Sequence, residues 1–328
     1  MNRIPFGVVG AEFAREIISS RLAGRYAGVA AVYDSDERLL TRLEPELRKL
    51  GAYCFRDYKR FLSCGIKAVI IGKTPNGADL SVKALRKGLD VLTEPPMALT
   101  PGDINRIERA AAESGRFYSL ALYSCHKREN LLAAELYRRG DIGRLVYAEG
   151  DEFVLPLPEI PVGLMSAGSI GKVICATKLR VADASYSENS SRDIKIGVEL
   201  LRLSNESILR ALCGNFGVSE RMKLVGESGI IETSPGKLIF TDNSGIVPKS
   251  TLMRPEGFEL PGMIKGADFA KSSAIAGFAA KLLGDQDAAA RCVDFLRAKE
   301  ISFAGTRAVG FEKPDSAPLY GYNVERKK

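Results

Sequence analysis

The chain has 328 residues, of which 45% are hydrophobic and 27% are charged, a balance that is typical of folded globular proteins and excludes disordered or collagen-like chains. Because domains average roughly 150 residues, this length predicts about two domains. Lys and Arg number 47 against 40 Asp and Glu, but the basic residues are scattered and no nucleic-acid-binding motif occurs, so we expect no nucleic-acid partner.

The first third of the chain alternates short apolar segments with helical patterns. Each apolar segment is continuous, which is typical of a strand buried on both faces of a parallel sheet. This order predicts a doubly wound, dinucleotide-binding Rossmann domain over residues 1–122. The predicted strands are Ile4–Val9, Val29–Tyr33, Ala52–Phe55, Ala68–Ile71, Leu89–Leu92 and Phe117–Ala121. The predicted helices are Glu12–Leu22, Asp36–Leu50, Asp57–Leu62, Ala78–Lys87 and Pro101–Ser114.

A different pattern begins after residue 122, where strands follow one another without helices between them. Such a series favours a large, mostly antiparallel open sheet. We therefore expect residues 123–328 to form a second α/β domain for substrate binding and oligomerisation. The predicted strands are Leu145–Val154, Leu179–Tyr186, Ile194–Leu203, Ser207–Cys213, Met222–Gly226, Ile230–Thr233 and Leu238–Phe240. The predicted helices are Glu129–Arg139, Ala267–Leu283 and Gln286–Glu300.

The sequence indicates neither metal binding nor membrane insertion. The cysteines are far apart and form no C-x-x-C pair, and His126 is the single histidine, so we expect reduced thiols and no metal site. No apolar run reaches the roughly 18 residues that a membrane span needs. The short apolar N-terminus is not followed by a signal-peptide cleavage site. We therefore expect a cytoplasmic protein without a membrane partner.

The turn after the first predicted strand carries part of a dinucleotide-binding fingerprint. The fingerprint G-x-G-x-x-G/A places glycines where the backbone approaches a pyrophosphate at a helix N-terminus. Gly10 fits the first position, whereas Glu12 occupies the second. A carboxylate there repels a pyrophosphate unless it points away, and any strand that turns into a helix gives a similar pattern. The candidate cofactor contacts in this turn are Gly10, Ala11, Glu12 and Phe13.

Further polar groups follow the carboxyl ends of predicted strands, where ligands bind to doubly wound sheets. Asp34 closes the second strand, and its carboxylate is suited either to accept hydrogen bonds from a ribose hydroxyl or to cap the next helix. Thr74, Pro75 and Asn76 follow the fourth strand, and Glu94 follows the fifth. These residues join the candidate cofactor site, although Pro and Asn are also common turn formers.

Several motifs occur in a fixed order over nearly the whole chain. They are Gly10, Asp34, the Thr74–Asn76 loop, Glu94-x-Pro96-Met97-Ala98-Leu99-Thr100, the junction Arg139–Leu145 and the hairpin Gly226–Glu232. This order resembles the glucose–fructose oxidoreductase/inositol dehydrogenase/MocA family. The resemblance implies NAD- or NADP-dependent hydride transfer to or from a sugar, cyclitol or related small molecule. Asp34 favours NAD, because a 2′-phosphate would meet its carboxylate.

The sequence departs from that family at the family's proton-transfer groups. Pro95 replaces the lysine of the family's Glu-Lys-Pro motif, and the segment Gly168–Val173 carries neither the Asp nor the His of the family's second-domain helix. Relatives that reduce a C=N or tetrapyrrole bond also lack this lysine, so the resemblance favours a reductase. Tyr123, His126 and Lys172 are the candidate catalytic proton donors. Core packing, helix capping and surface exposure are their respective alternative roles.

We therefore expect an NAD(P)-dependent reductase of a sugar-derived, imine or conjugated carbonyl substrate. The alternative is a non-redox pseudoenzyme on the same scaffold that binds a ligand or regulates a partner, an interpretation that Glu12 and Pro95 favour. Pairing of two open sheet faces predicts a homodimer or homotetramer. The residues expected on that face are Ile196, Val198, Leu200, Leu209 and Ala211.

Overall fold

The first of two β-sheets is a six-stranded parallel sheet. The computed structural model describes residues 3–94, 101–151, 173–185, 193–203, 206–214, 221–245, 247–253 and 268–285. The strand order β3-β2-β1-β4-β5-β6 reverses between β1 and β4, which confirms the predicted Rossmann topology. The strands are β1 Ile4–Val9, β2 Ala27–Tyr33, β3 Tyr53–Phe55, β4 Ala68–Ile71, β5 Asp90–Thr93 and β6 Tyr118–Leu120.

Helices connect these strands, close to the predicted positions. The first helix ends before the predicted Leu22, because Arg21 turns the chain at φ 54° and the Leu22 N–H donates back to the Ile17 carbonyl at 2.9 Å. Gly51, at φ 90°, follows the second helix, at a position where glycine commonly ends a helix. The helices are α1 Ala11–Ser19, α2 Glu37–Lys49, α3 Tyr58–Leu62, α4 Gly77–Arg86 and α5 Pro101–Ser114.

The second sheet has eight strands in the order β14-β13-β12-β11-β7-β10-β9-β8. Among its described strands, only β7 and β10 pair in parallel, so the sheet is mostly antiparallel, as predicted. Its edge strand β14 was not predicted from the sequence. The predicted helix Gln286–Glu300 lies outside the described residues. The strands are β7 Leu145–Asp151, β8 Val173–Ser185, β9 Asp193–Leu203, β10 Ile208–Gly214, β11 Met222–Gly226, β12 Gly229–Ser234, β13 Lys237–Asp242 and β14 Lys249–Met253.

One face of the second sheet packs against the helix α6, Arg128–Arg138. The Thr233 hydroxyl of β12 donates to the Asn130 side chain of α6 at 3.1 Å, and both residues are buried. Leu209 is 2% exposed and belongs to this covered face, so its predicted place on the open face is wrong. The reason is strand parity: Arg210 pairs with Leu200, so the adjacent Leu209 lies on the opposite face of β10. The side chains of Ile196, Val198 and Ala211 lie outside the described part of the structure.

A helix far along the chain returns to the first sheet. This helix, α7, spans Phe269–Leu282 and begins with Asp268, whose carboxylate accepts the N–H of Lys271 at 3.0 Å. Its fully buried Phe278 packs against Phe6 of β1 and Phe117, which precedes β6. These ring contacts link the second half of the chain to the six-stranded parallel sheet. Among the described residues, no helix is long and apolar enough to cross a bilayer.

Candidate functional site

A cleft of about 710 Å³ lies where β1, β2, β4 and β5 end. This is the edge at which doubly wound sheets bind ligands. Lys73 and Gly72 also line the cleft. The structure brings together six of the residues that the sequence singled out: Gly10, Ala11, Glu12, Phe13, Asp34 and Glu94.

Two glycines allow the backbone to come close at this edge. Gly10 has φ 107° and precedes the first turn of α1, a conformation that side chains with a Cβ rarely adopt. Gly72 lies against that turn: a Cβ added there would be 2.9 Å from Phe13 Cδ1 and 3.1 Å from the Val9 carbonyl oxygen. The Gly72 N–H donates to the same Val9 oxygen at 3.0 Å. The β4 end and the α1 turn are therefore held side by side.

The Asp34 carboxylate bridges the start of α1 and the loop after β2. Its Oδ2 accepts the Ala11 N–H at 2.8 Å, and its Oδ1 accepts the Asp36 N–H at 2.9 Å. Asp36, rather than Asp34, caps α2 through the amides of Arg38 and Leu39. A carboxylate has about four acceptor positions, so Asp34 retains capacity for two hydroxyl donors such as those of a ribose. The hydrogen bonds of the Asp34 carboxylate are therefore compatible with its predicted role in ribose binding.

The Glu12 side chain points toward α2. Its carboxylate pairs with the Arg42 guanidinium at 3.3 Å, and both side chains are exposed. The first turn of α1 uses the Ala11 N–H for Asp34, whereas no described acceptor takes the N–H groups of Glu12 and Phe13. Open amides at a helix N-terminus attract anions. The carboxylate that the sequence places beside a pyrophosphate is therefore paired with a cation.

Glu94 anchors the loop that follows β4. It is 9% exposed, and its Oε2 accepts the Lys73 N–H at 3.1 Å. Its own N–H donates to the Ile71 carbonyl at 2.8 Å. These bonds join the ends of β4 and β5 beneath the cleft.

The Thr74–Asn76 turn follows β4, as predicted, but its residues are not among those that line this cleft. It leads directly into α4, where the Gly77 N–H donates to the Thr74 carbonyl at 3.2 Å and the Leu80 N–H to the Asn76 carbonyl at 3.1 Å. Pro75 lies between them and is exposed. The cleft wall at this point is formed by Lys73, the residue before the turn, which the sequence analysis did not select. Its position directly after a buried strand is the signal that could have found it.

The Tyr123 phenol, just after β6, and the Lys271 ammonium, in the first turn of α7, both interact electrostatically with Glu94. The Lys271 ammonium pairs with the Glu16 carboxylate of α1 and lies 5.9 Å from the centre of the Tyr123 ring. The Tyr123 hydroxyl is buried beside Glu94, although the two groups do not meet hydrogen-bond geometry. Burial, and then the charge of Glu94, raise the pKa of the Tyr123 hydroxyl. This phenol stays protonated at neutral pH and is suited to donate a proton.

The other two candidate proton donors are placed differently. His126 is 3% exposed, and its Nδ1 forms a hydrogen bond with the Ser273 hydroxyl of α7 at 3.0 Å. This contact fixes the segment after β6, which is a 3₁₀ helix over Tyr123–His126, against α7. Lys172 lies outside the described residues. Within the described ranges, no group of three His, Cys, Asp or Glu side chains is arranged to hold a metal ion.

The cleft residues fit an adenine dinucleotide on three counts. Gly10, at φ 107°, lets the chain turn sharply from β1 into α1, and Gly72 lets the end of β4 pack against that turn. Within the described ranges, two amides of α1 meet no protein acceptor and are open to an anion. Asp34 supplies an acceptor at the end of β2, where the ribose of such a ligand lies in this fold.

Comparison with known families supports the same assignment for the N-terminal part. Residues 4–122 match the model of a family described as an oxidoreductase family with an NAD-binding Rossmann fold, GFO_IDH_MocA. A search of the curated proteins finds no match.

Solved structures share the fold over most of the chain. An oxidoreductase from Agrobacterium radiobacter in complex with NAD+, L-tartaric acid and magnesium superposes with a TM-score of 0.71 at 13% identity, covering 94% of this chain and 96% of that one. Levoglucosan dehydrogenase in complex with NADH and levoglucosan gives 0.70 at 12%, with 94% and 96% covered. UDP-N-acetylglucosamine 3-dehydrogenase GnnA from Acidithiobacillus ferrooxidans gives 0.69 at 13%, with 94% and 97% covered. At these identities the likeness shows the fold.

Proposed function

Because residues 4–122 match the GFO_IDH_MocA model of NAD-binding oxidoreductases, we propose that this protein binds NAD and reduces a small-molecule substrate with it. The observation that carries the proposal is the start of α1, where Asp34 orders the turn and two amides have no acceptor among the residues that the structure describes. In this proposal residues 1–122 bind the cofactor. Residues 123–328 contribute the substrate and assembly surfaces, with α7 as the segment that packs back on the first sheet.

Each part of the cleft has a role toward the dinucleotide. The amides of Glu12 and Phe13 bind the pyrophosphate, and the Asp34 carboxylate accepts hydrogen bonds from the adenine ribose. Glu94 holds together the ends of β4 and β5, which would support the nicotinamide half. When bound, the nicotinamide supplies the hydride.

The preference for NAD over NADP follows from charge. A 2′-phosphate carries up to two negative charges and would lie beside the Asp34 carboxylate. Two unit charges about 5 Å apart repel by about 1 to 3 kcal/mol for effective dielectric constants between 80 and 20. The lower value alone is about a fivefold difference in Kd.

Tyr123 is the proton donor in this proposal. Its pKa is raised by burial and by Glu94, so the phenol keeps its proton until charge develops on the substrate. His126 is the less favoured donor, because it is buried and bonded to Ser273. With Pro95 where the family has lysine, we propose an electrophilic sugar-derived, imine or conjugated carbonyl substrate. Oxidation of common sugars or inositols by NAD should be negligible, since a positioned base contributes about 10²- to 10⁴-fold.

The deciding experiment is a titration of the protein with NADH and with NADPH, in which nicotinamide fluorescence measures binding. The chain contains no Trp, so the emission of bound NADH has no indole background. We expect saturable binding of NADH, and weaker binding of NADPH. Absence of binding to both at millimolar concentration would reject the proposal in favour of the non-redox alternative, which Glu12 and Pro95 support.

We also propose that the uncovered face of the second sheet pairs with a second copy of the chain. The backbone register places six residues in one row across this face: Leu252, Ile239, Glu232, Lys223, Glu149 and Arg210. Leu252 is 54% exposed and Ile239 is 40% exposed, with no described element packed on them. Burial of such apolar side chains favours association.

The charges of that row select one symmetry. Along the row the signs alternate, from Glu232 through Lys223 and Glu149 to Arg210. A two-fold axis parallel to the strands and between β11 and β7 reverses the row, so Lys223 faces the partner's Glu149 and Glu232 faces the partner's Arg210. An axis along the row would oppose like charges instead. The first arrangement is therefore the one we propose for the homodimer, the unit from which a tetramer would also be built.

A further inference from the structure

The carboxylates around the cleft all have partners within the protein. Glu12 pairs with Arg42, and Glu16 pairs with Lys271. Asp34 accepts two backbone amides, and Glu94 accepts the Lys73 amide. The negative charges of the site are thus directed to helices and loops rather than into the cleft.

The two cations of the cleft wall, Arg15 and Lys73, differ in whether a carboxylate pairs with them. Arg15 lies 3.8 Å from the Glu46 carboxylate. Lys73 also lines the cleft and is exposed, and across the part of the chain that the structure describes no carboxylate pairs with its ammonium. Its positive charge is therefore available to an anion from solution.

The backbone holds Lys73 next to the first turn of α1. The preceding residue, Gly72, donates its N–H to the Val9 carbonyl at 3.0 Å and lies so close to Phe13 that a Cβ would be 2.9 Å from its ring. The Lys73 N–H is fixed by Glu94 at 3.1 Å. The backbone of Lys73 is thus held in place, and its flexible side chain starts next to the turn that carries the open amides of α1.

We propose that Lys73 binds the pyrophosphate of the dinucleotide at the start of α1. This inference rests on the proposed function and adds a residue that the glycine-loop fingerprint does not contain. Two open amides supply hydrogen bonds but little net charge, whereas a pyrophosphate carries about two negative charges at neutral pH. An ammonium next to the amides provides the missing charge.

The test compares two substitutions on the same strand of the sheet. Lys73→Met removes the charge at the carboxyl end of β4, and Lys67→Met removes an exposed lysine just before the amino end of β4, away from the cleft. Each protein is titrated by calorimetry with NADH and with ADP-ribose, which contains the pyrophosphate but no nicotinamide. We expect Lys73→Met to raise both Kd values about tenfold or more, the loss of one charged hydrogen bond. Lys67→Met should change them less than twofold, and Lys73→Arg should retain most of the affinity.

Every other result counts against the inference in a recognisable way. If the wild-type protein binds NADH and Lys73→Met binds equally well, the role of Lys73 is wrong while the proposed function stands. If Lys73→Met and Lys67→Met weaken binding equally, the effect is one of net charge. If only NADH binding weakens, Lys73 contacts the nicotinamide half. A wild-type protein that binds neither ligand overturns the proposed function and this inference together.

Discussion

Replacing Phe278 with alanine tests the packing of α7 on the first sheet. The Phe278 ring is fully buried, and its centre lies 5.8 Å from that of Phe6 and 6.0 Å from that of Phe117. Truncating a buried Phe to Ala costs about 3–5 kcal/mol of unfolding free energy. Loss of two ring–ring contacts, each contributing about 0.5–1.5 kcal/mol, places this site in the upper part of that range. Since proteins are stable by only about 5–15 kcal/mol, the effect is large.

Urea unfolding followed by far-UV circular dichroism measures this loss. Leu283→Ala is the matched control, because Leu283 directly follows the same helix and is 52% exposed. We expect the control to lose less than about 0.5 kcal/mol. If Phe278→Ala lost no more than the control, α7 would not be packed on this sheet, and the contact between Lys271 and Glu16 would lose its basis.

Cofactor preference, proton transfer and assembly give three more expected outcomes. Wild-type protein should bind NADH at least about tenfold more tightly than NADPH, and Asp34→Ala should narrow this ratio in paired fluorescence titrations; a preference for NADPH would contradict the role of Asp34. Once a substrate is known, Tyr123→Phe should lower turnover at least about tenfold without changing the Kd of NADH. Because the pKa of the Tyr123 hydroxyl is raised, the ratio of wild-type to variant rates should stay constant between about pH 7 and about pH 9; a fall in that range would assign the proton to another group. Light scattering should show that Lys223→Glu dissociates the dimer and that adding Glu149→Lys restores it, whereas a monomeric wild-type protein would refute the interface.

The sequence was sufficient to predict the six-stranded parallel sheet, because the apolar pattern of each strand agrees with its buried position in the fold. The segments Ile4–Val9 and Ala68–Ile71 are apolar without interruption, as strands covered on both faces must be, and both have the predicted bounds. Helix ends were less accurate. The end of α1 depends on a left-handed residue, Arg21, which is not a residue type that marks such a turn.

The second sheet was harder to predict because its strands are partly exposed. The edge strand Lys249–Met253 begins with polar residues and carries no continuous apolar pattern, so it was missed. In β10, apolar residues occupy both faces, and the sequence alone did not reveal that Leu209 rather than Ile208 is buried. A shift of one residue in register exchanges the two faces, and only the pairing of Leu200 with Arg210 decides it.

The candidate site could be located but not completed from the sequence. Gly10, Asp34 and Glu94 follow strand ends, where the rule for doubly wound sheets places ligands, and all three line the cleft. Lys271 was missed for a different reason. It meets Glu16 across 255 positions of the chain, and no local pattern records a contact of that range.

Glu12 shows why an incomplete fingerprint is compatible with a nucleotide site. At this position the ligand needs open backbone N–H groups and room for a close approach, and a side chain directed elsewhere leaves both intact. The Glu12 carboxylate lies 3.3 Å from Arg42 of α2, and no described acceptor takes the N–H groups of Glu12 and Phe13. An exposed pair of this kind contributes less than about 1 kcal/mol to folding. Its main effect is to keep the Glu12 carboxylate away from the open amides. Whether this turn can accept an anion therefore depends on the direction of the Glu12 side chain. That direction is set by Arg42 of α2 and not by the motif itself.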